Sequence, residues 1–482
     1  MARRVLFVLL LATAPAAAGD LAKREKAVLS KVGSATRRFA KLLAERKEYA
    51  SAREELRRFL LLDPEDAATR QQLQQLVKKG RATDAGTDTS IPRRAAHEEC
   101  TKALLDFAAE CERTGDIERL WRAWTSAVVA YEMKPPDGAE WFPPYCLWVR
   151  KEDKARLEAG GEFLDGKWLD ATEVATLDAR HKTSEGGWVL EDEVHVVKTA
   201  EPLRSARQVL CHAGAFRRFF LAYFAGYWDL RPPKGKLPIL FTGTQEEMRA
   251  KLKQDPGRGG EDPGNAAALY LWSNQPLNPC LVTLEPVMAS TGKAVRLTFD
   301  EITFTLRHEL AHQIGFEYSR YADPAPKRLP EHCWVVEGMA EFLSFHAHEG
   351  AGWRLVPDHR DGGSLIHCYE NLDRLPKLVD LFSTSQDGFN TVAHYAIAAG
   401  VFHFFWDAEG GKHRASIARL TELVHQSKGT EKSFSECFKG ADPASFQPGW
   451  EAFARTFGGS EAPKDGAPAP EDDEGVSEGC GG

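Results

Sequence analysis

The sequence predicts an α+β protein, with a helical N-terminal region, a small β element and a larger domain that combines a small mixed sheet with two apolar helices. Three observations predict this arrangement. Apolar residues recur at helical spacing from residue 21 to about residue 131. Gly and Trp then accompany short strand-like runs. Beyond them, short apolar strands alternate with longer helical stretches. We place the three parts at 19–135, 136–193 and 194–457.

The composition is that of a globular protein, since 43% of the 482 residues are apolar and 27% are charged. The length suggests about two to four folding units. The formal net charge is −8, and no run of basic residues stands out in the folded part. We therefore expect no nucleic acid as a partner. After the first twenty residues, no segment approaches the ~18 uninterrupted apolar residues of a membrane helix. We therefore expect no membrane span in the mature chain.

Both ends of the chain are predicted to lie outside the folded part. Arg3 and Arg4 precede an apolar stretch that ends in the small residues 16–18, the pattern of a signal peptide. We therefore expect cleavage after Ala18 and export to the periplasm or the extracellular space. A buried N-terminal helix is the alternative. Residues 458–482 are rich in Gly, Pro, Ala and acidic residues and are expected to form a disordered acidic tail.

The nine cysteines show no C-x-x-C spacing, which argues against a thiolate metal site. An exported protein could form disulfides, but the odd count leaves at least one thiol free. Cys480, close to the C-terminus, is the simplest candidate for that thiol. The pairing of the others does not follow from the sequence.

One stretch of the helical region resembles a tetratricopeptide unit, a repeat built from a helical hairpin. Its packing positions and its closing proline fall on Phe39, Ala40, Leu43, Tyr49, Ala52, Leu56 and Asp63-Pro64. A looser echo lies at 104–135, whereas arrays of this kind usually need three units. Two alternatives stay open: plain helical hairpins packed on the next domain, or an array that binds a protein partner.

Two similar runs mark the small β element. Gly166-Lys167-Trp168 and Gly186-Gly187-Trp188 each lead into a short apolar and acidic segment. The similarity predicts a duplicated β-hairpin. We expect both tryptophans to fill a small core, with ligand binding as the less common role.

The larger domain begins with alternating strand and helix patterns. The predicted strands are 194–197, 237–241 and 280–287, and the predicted helices are 203–227 and 246–252.

The sharpest signal in the chain is the segment TFDEITFTLRHELAHQIGFEYSR, residues 298–320. His308 and His312 are four residues apart, so a helix places both imidazoles on one face. That spacing lets both bind one zinc ion, with Glu309 beside them to hold a water molecule. A chance match to this short motif has a probability of about one in thirty in a chain of this composition. The prediction therefore needs a second, independent signal.

The second signal is the segment WVVEGMAEFLSF, residues 334–345. A catalytic zinc takes three protein ligands and an open position. Glu337 lies inside an apolar helix, where a carboxylate is costly without a cation or a strong donor. Glu341, one turn later, faces the same side and could accept the second N–H of a ligand imidazole. Two solvent-facing glutamates are the alternative.

Together the two segments resemble the gluzincin branch of metallopeptidases, in particular the peptidase MA-like group of bacterial proteins. The resemblance covers about 194–457 and implies a zincin-like catalytic domain. It implies His308, His312 and Glu337 as the zinc ligands and a Zn²⁺ cofactor. Such proteins often carry a tetratricopeptide-like N-terminal part as well.

The resemblance also implies a tyrosine that donates to the developing oxyanion, on a helix after the third ligand. The segment HYAIAAGVFHFFWD, residues 394–407, is similar to that helix and puts Tyr395 in this role. His394 is the local competitor, and a packed aromatic residue is the plain structural alternative. A fixed donor is needed because attack on a carbonyl leaves charge on its oxygen.

The chain also departs from this family. The G-x-M-E-N strand that holds a substrate amino terminus in the aminopeptidases is absent, and Val336 precedes Glu337 where the family often has Asn. We therefore expect an endopeptidase. The run 281–287 lies where the edge strand that pairs with substrate belongs, so we expect a peptide to add there. We expect His346 and His348 at hydrated surface positions.

These inferences define the expected function. It is zinc-dependent hydrolysis of a peptide or protein substrate, with Glu309 as the general base, Tyr395 as the oxyanion donor and Glu341 orienting a ligand histidine. The alternative is a weakly active or inactive zinc-containing binding protein that recruits a partner through its helical N-terminal region. An intact Glu309 favours the enzyme, because a structural zinc site has no use for it.

Overall fold

A computed structural model describes residues 15–79, 84–182, 186–253, 267–270, 277–288, 292–319, 331–356, 365–385, 388–389 and 392–457. Most of the predicted signal peptide, residues 1–14, lies outside the described residues. So does the predicted tail 458–482, which contains Cys480.

The helices are α1 Pro15–Glu45, α2 Tyr49–Leu60, α3 Ala67–Lys78, α4 Ser90–Thr114, α5 Ile117–Tyr131, α6 Lys151–Glu158, α7 Ala171–Arg180, α8 Leu203–Phe224, α9 Gln245–Lys253, α10 Phe299–Ser319, α11 Cys333–Ser344, α12 Leu365–Glu370, α13 Leu378–Ser383, α14 Val392–Gly411, α15 Arg414–His425, α16 Ser433–Cys437 and α17 Gln447–Arg455.

The strands are β1 Ala139–Phe142, β2 Leu147–Arg150, β3 Glu162–Leu164, β4 Lys167–Leu169, β5 Trp188–Glu191, β6 His195–Thr199, β7 Leu237–Thr242, β8 Ala268–Tyr270, β9 Cys280–Thr283, β10 Val287–Met288, β11 Lys293–Ala294, β12 His346–Glu349 and β13 Gly352–Leu355. The mixture of helices and small sheets confirms the predicted α+β class.

The N-terminal helices form hairpins in which α1 packs on α2 and α4, and α4 packs on α5. Local sequence sets the last of these turns, because Gly115 ends α4 with φ +76° and the Asp116 side chain caps the start of α5. Most of the packing positions predicted from the tetratricopeptide-like pattern share one core cluster: Phe39, Ala40, Leu43, Ala52 and Leu56. Ala222 and Ala225, at the end of α8, belong to the same cluster. The helical region therefore packs directly on the larger domain.

The β element contains two separate hairpins, β1–β2 and β3–β4. The predicted duplication is wrong. After the first Trp run, Asp170 and Glu173 form a capping box that starts α7, so this run leaves the strand for a helix. The second run is β5, which pairs with β6 in the main sheet. The capping residues therefore explain why the first run continues into a helix, whereas the second run is a strand.

The main sheet has five strands in the order β5-β6-β7-β9-β8. β6, β7 and β9 are parallel neighbours, whereas β5 and β8 join antiparallel at the two edges. The predicted strands 194–197 and 237–241 and the predicted helices 203–227 and 246–252 are confirmed. The predicted strand 280–287 is shorter, since β9 ends at Thr283 and Val287 belongs to β10. The predicted edge position of this strand is not confirmed, because β9 is enclosed by β7 and β8. The edge next to the two motif helices is β8.

The first motif helix, α10, is buried on almost every side and packs against α8, α11 and β8. Its apolar residues at helical spacing are buried: Ile302, Leu306, Leu310 and Ile314. Arg307 is also buried and donates from Nε to the Ser344 carbonyl at 2.9 Å. A helix enclosed in this way holds its polar side chains in fixed positions.

The second motif helix, α11, packs most closely against α14. Gly338 permits this contact, since a Cβ built there would lie 2.4 Å from the Ala398 carbonyl oxygen. The close approach places the start of α14 beside α10 and α11.

None of the described helices is long and apolar enough to cross a membrane. The eight described cysteines are unpaired thiols, six of them buried and the other two partly exposed.

Candidate metal centre

The two histidines of α10 point their Nε2 atoms at one place. His308 and His312 are separated by one helical turn, and their Nε2 atoms lie 3.0 Å apart. Both side chains are buried, with His308 only 1% exposed. The helical period therefore brings the pair together, and the surrounding core holds it in place.

Glu337 completes the group from α11. Its Oε2 lies 3.3 Å from each of the two Nε2 atoms. A tetrahedral zinc with ligand bonds of ~2.0–2.1 Å separates its ligand atoms by about 3.3 Å. The three atoms therefore form one face of such a tetrahedron. This buried group of His308, His312 and Glu337 could bind a metal ion.

Glu341 orients the first histidine. Its Oε2 lies 2.9 Å from His308 Nδ1, which assigns the imidazole hydrogen to Nδ1. His308 Nε2 then presents a lone pair toward the group. The sequence-based placement of Glu341 beside a ligand histidine agrees with this contact.

The electrostatics of the group favour a positive charge between its members. Burial alone would raise the pKa of Glu337, but the neighbouring His312 and His308 outweigh it and hold that pKa well below its ordinary value. The carboxylate is therefore ionised. A bound cation would stabilise the ionised carboxylate in the same way.

Glu309 lies next to the group without being part of it. Its Oε2 accepts a hydrogen bond of 2.5 Å from the backbone N–H of Tyr270, the last residue of the edge strand β8. Burial raises the pKa of Glu309, against the opposing effect of the two neighbouring imidazoles and the Tyr270 N–H. The carboxylate thus links the metal group to the edge of the sheet.

Tyr395 and His394 are neighbours on α14 but differ in burial and in what they pack against. Tyr395 is buried, and its ring centroid lies 6.1 Å from that of His308. His394 is half-buried and stacks on Phe389 at 5.4 Å. Tyr395 therefore lies beside a residue of the metal group.

The sequence analysis did not single out Glu317, which anchors the edge strand. On α10, Glu317 accepts hydrogen bonds from Tyr270 Oη at 2.9 Å, from the backbone N–H of Leu277 at 2.9 Å and from Asn278 at 3.0–3.1 Å. It therefore ties both ends of the β8–β9 connection to the helix that carries the histidines. The sequence does contain one signal for this residue, since Glu317 is a carboxylate in an otherwise uncharged stretch of that helix.

The other histidines and the cysteine near the second motif helix do not belong to the metal group. His332 Nε2 and Cys333 Sγ bond the backbone carbonyls of Thr430 and Thr384, away from the metal group. The prediction of hydrated positions for His346 and His348 is wrong. His346 is buried among aromatic side chains, and His348 stacks on Trp141 with a centroid distance of 4.9 Å. The hairpin β12–β13 packs against β1 and β2 of the β element, a contact that the sequence pattern does not reveal.

Neither a protein-family profile nor a curated protein sequence matches this chain. The site is therefore defined by its own geometry: a buried His–His–Glu group on an α+β domain that could bind a metal ion.

Proposed function

We propose that the protein is a zinc-dependent endopeptidase with a zincin-like catalytic domain. The observation that carries this proposal is the set of 3.0–3.3 Å separations between His308 Nε2, His312 Nε2 and Glu337 Oε2, with Glu309 beside them. Two imidazoles and one carboxylate are the donor set of many catalytic zinc sites. A structural zinc site is usually closed by a fourth protein ligand, whereas among the described residues this group has three side chains whose ligand atoms all lie within 4.8 Å of one another.

Each residue of the site has a separate role in the proposed reaction. His308, His312 and Glu337 hold the metal. When bound, zinc supplies Lewis acidity toward a carbonyl and toward water. Glu309 takes a proton from the attacking water and passes it to the leaving nitrogen. Glu341 keeps the His308 ring in the ligating orientation.

Tyr395 donates a hydrogen bond to the oxygen on which negative charge develops. Its burial beside His308 supports this role, because a fixed donor needs no reorganisation during the reaction. The close contact of α11 with α14 at Gly338 keeps the tyrosine in place.

A peptide is the substrate class that the edge strand favours. Within the described residues, β8 is an edge strand of the main sheet, and an extended peptide can pair with an edge strand. Tyr270 N–H lies on this strand and contacts Glu309. A peptide that pairs along β8 therefore passes beside the general base.

The second candidate is a zinc-containing binding protein with little turnover, which recruits a protein partner through the helical region. The observation that favours it is the burial of the site, since Glu309 is only 4% exposed and already bonded to Tyr270. For either function we propose an exported protein, on the signal-peptide pattern of residues 1–18.

The test is the digestion of an unbiased peptide mixture by the zinc-loaded mature protein. A Glu309→Gln variant that holds equal zinc is the matched control, because it keeps the ligands and removes the base. We expect new peptide termini from the wild type alone. Zinc binding by both proteins without cleavage by either would favour the binding protein. Absence of zinc binding in the wild type would refute both.

A further inference from the structure

One nitrogen of the metal group has no partner among the described residues. His312 directs Nε2 toward His308 and Glu337, which leaves its Nδ1 on the opposite side of the ring. This Nδ1 is buried and makes no hydrogen bond within the described structure. When Nε2 binds a metal, Nδ1 carries the ring hydrogen, so a buried donor needs an acceptor.

A second orphaned nitrogen belongs to His425, the last residue of α15. Its Nδ1 lies 2.8 Å from the Thr421 carbonyl, which assigns the ring hydrogen to Nδ1 and makes Nε2 an acceptor. This Nε2 is also buried without a partner among the described residues. Burial lowers the pKa of His425 to about 3, so the ring is neutral at physiological pH.

The ring of His425 lies against α10, one turn beyond His312. A Cβ built on Gly315 would lie 2.6 Å from His425 Nε2, and the ring centroid of Phe316 is 4.5 Å away. His312 and Gly315 are three residues apart, and such positions are neighbours with Cβ atoms about 5–6 Å apart. Gly315 is therefore the position on α10 that makes room for the second imidazole.

We propose that His425 is a positioning residue for the metal centre, and that its Nε2 accepts the Nδ1 hydrogen of His312 through one bridging water molecule. The inference rests on the proposed metal site. Neither nitrogen has a direct partner within 3.5 Å, and a water between a buried donor and a buried acceptor satisfies both. His425 would then do for His312 what Glu341 does for His308, from a helix far along the chain.

This role explains a pairing of residues that otherwise costs stability. A glycine inside α10 lowers helix stability relative to alanine. A buried imidazole with an unused acceptor is costly as well. Together, Gly315 and His425 place a neutral acceptor beside the orphaned donor of His312.

The test uses two substitutions that separate the two ring nitrogens. In His425→Gln, the side-chain amide reaches the position of Nε2, so the acceptor is kept. In His425→Asn, the shorter amide reaches only the position of Nδ1, so the bond to Thr421 can persist while the acceptor is lost. The readouts are zinc affinity, measured on the full mature chain by competition with a chromophoric chelator, and the absorption spectrum of the cobalt-substituted protein.

His346 is the matched control, since it is buried and its Nδ1 also bonds a carbonyl four residues earlier, that of Phe342 in α11. We expect His425→Asn to weaken zinc binding about 10–100-fold and to change the cobalt spectrum. His425→Gln should stay close to the wild type, and His346→Asn and His346→Gln should have little effect.

Three results would overturn the proposal: wild-type affinity in His425→Asn, equal losses in the Asn and Gln variants of His425, or an equal loss in His346→Asn. A wild-type protein that binds no zinc is a different result, because it removes the proposed function and this inference with it. Thermal unfolding of each metal-free variant verifies that the compared proteins are folded.

Discussion

His308 Nδ1 lies 2.9 Å from Glu341 Oε2, so the carboxylate accepts the imidazole hydrogen and turns the opposite nitrogen toward Glu337. The contact joins α10 to α11 inside the core, where Glu341 is only 4% exposed. The orientation of a metal-binding group therefore depends on a residue that does not belong to it.

The first prediction concerns this contact. Glu341→Ala leaves His308 Nδ1 without an acceptor, and we expect zinc affinity to fall about 10–100-fold. Glu341→Gln keeps an oxygen acceptor and should lose less. Chelator competition measures both. A Glu341→Ala protein that is folded and binds zinc like the wild type would contradict the orienting role.

The second prediction distinguishes Tyr395 from His394. If the peptidase is active, Tyr395→Phe should lower kcat about 10²–10³-fold, because it removes one donor to the developing oxyanion. His394→Phe should have a small effect, since this side chain stacks on Phe389. Steady-state kinetics on a cleaved peptide provide the measurement. A large loss in His394→Phe alone would transfer the role to His394.

The third prediction tests the contact between α11 and α14. Gly338→Ala places a methyl group 2.4 Å from a backbone oxygen, so we expect the free energy of unfolding to fall by about 1–3 kcal/mol. Gly449→Ala, in α17, is the control, because its Cβ would lie 3.4 Å from the Phe404 ring, which is an ordinary van der Waals contact. Urea titration measures both. Equal stabilities would mean that α14 can move away from α11 at no cost.

The fourth prediction concerns Glu317. Glu317→Ala removes the carboxylate that accepts four hydrogen bonds from the β8–β9 connection, and the loss of a buried partner costs about 1–3 kcal/mol. We expect a loss of about 3 kcal/mol or more in urea titrations. Glu246→Ala, at an exposed position of α9, should change stability by less than about 0.5 kcal/mol. Similar values for the two variants would show that the connection does not depend on Glu317.

The fifth prediction is a pH dependence. Burial lowers the pKa of His346 to about 4, below the ordinary value of about 6.5 that the unfolded chain retains. The unfolded chain therefore binds a proton between these values that the folded chain does not. The contribution of His346 to stability is complete above pH 6.5 and is lost as the pH falls toward 4. The loss of stability from this one group amounts to about 2 kcal/mol between pH 7 and pH 5.

Urea titrations at pH 7, 6 and 5 test this dependence. The His346→Phe variant replaces the ring with an apolar one among Phe219, Tyr223 and Phe342. The stability of this variant should fall less steeply as the pH is lowered. The difference in slope should correspond to about one bound proton. A variant with the same slope as the wild type would show that folding does not lower the pKa of His346.

Much of the site follows from local periodicity. The spacing of His308 and His312 on an apolar helix predicts that they share a face, and the structure places their Nε2 atoms 3.0 Å apart. The same argument put Glu337 and Glu341 on one side of α11, where both contact His308. Four of the five elements predicted at the start of the larger domain are confirmed for the same reason, and the fifth, β9, is shorter than predicted. Zinc, peptide hydrolysis and export remain predictions.

The sequence by itself therefore determined the elements of the larger domain and the side chains that share a helical face, because side-chain direction repeats with the backbone period. Tertiary structure alone decided the remainder: β8 as the edge strand, Glu317 as its anchor, the burial of His346 and the approach of His425 to Gly315. Each of these joins residues that are distant in the chain. No local period specifies such contacts, since they depend on how whole helices and strands pack against one another.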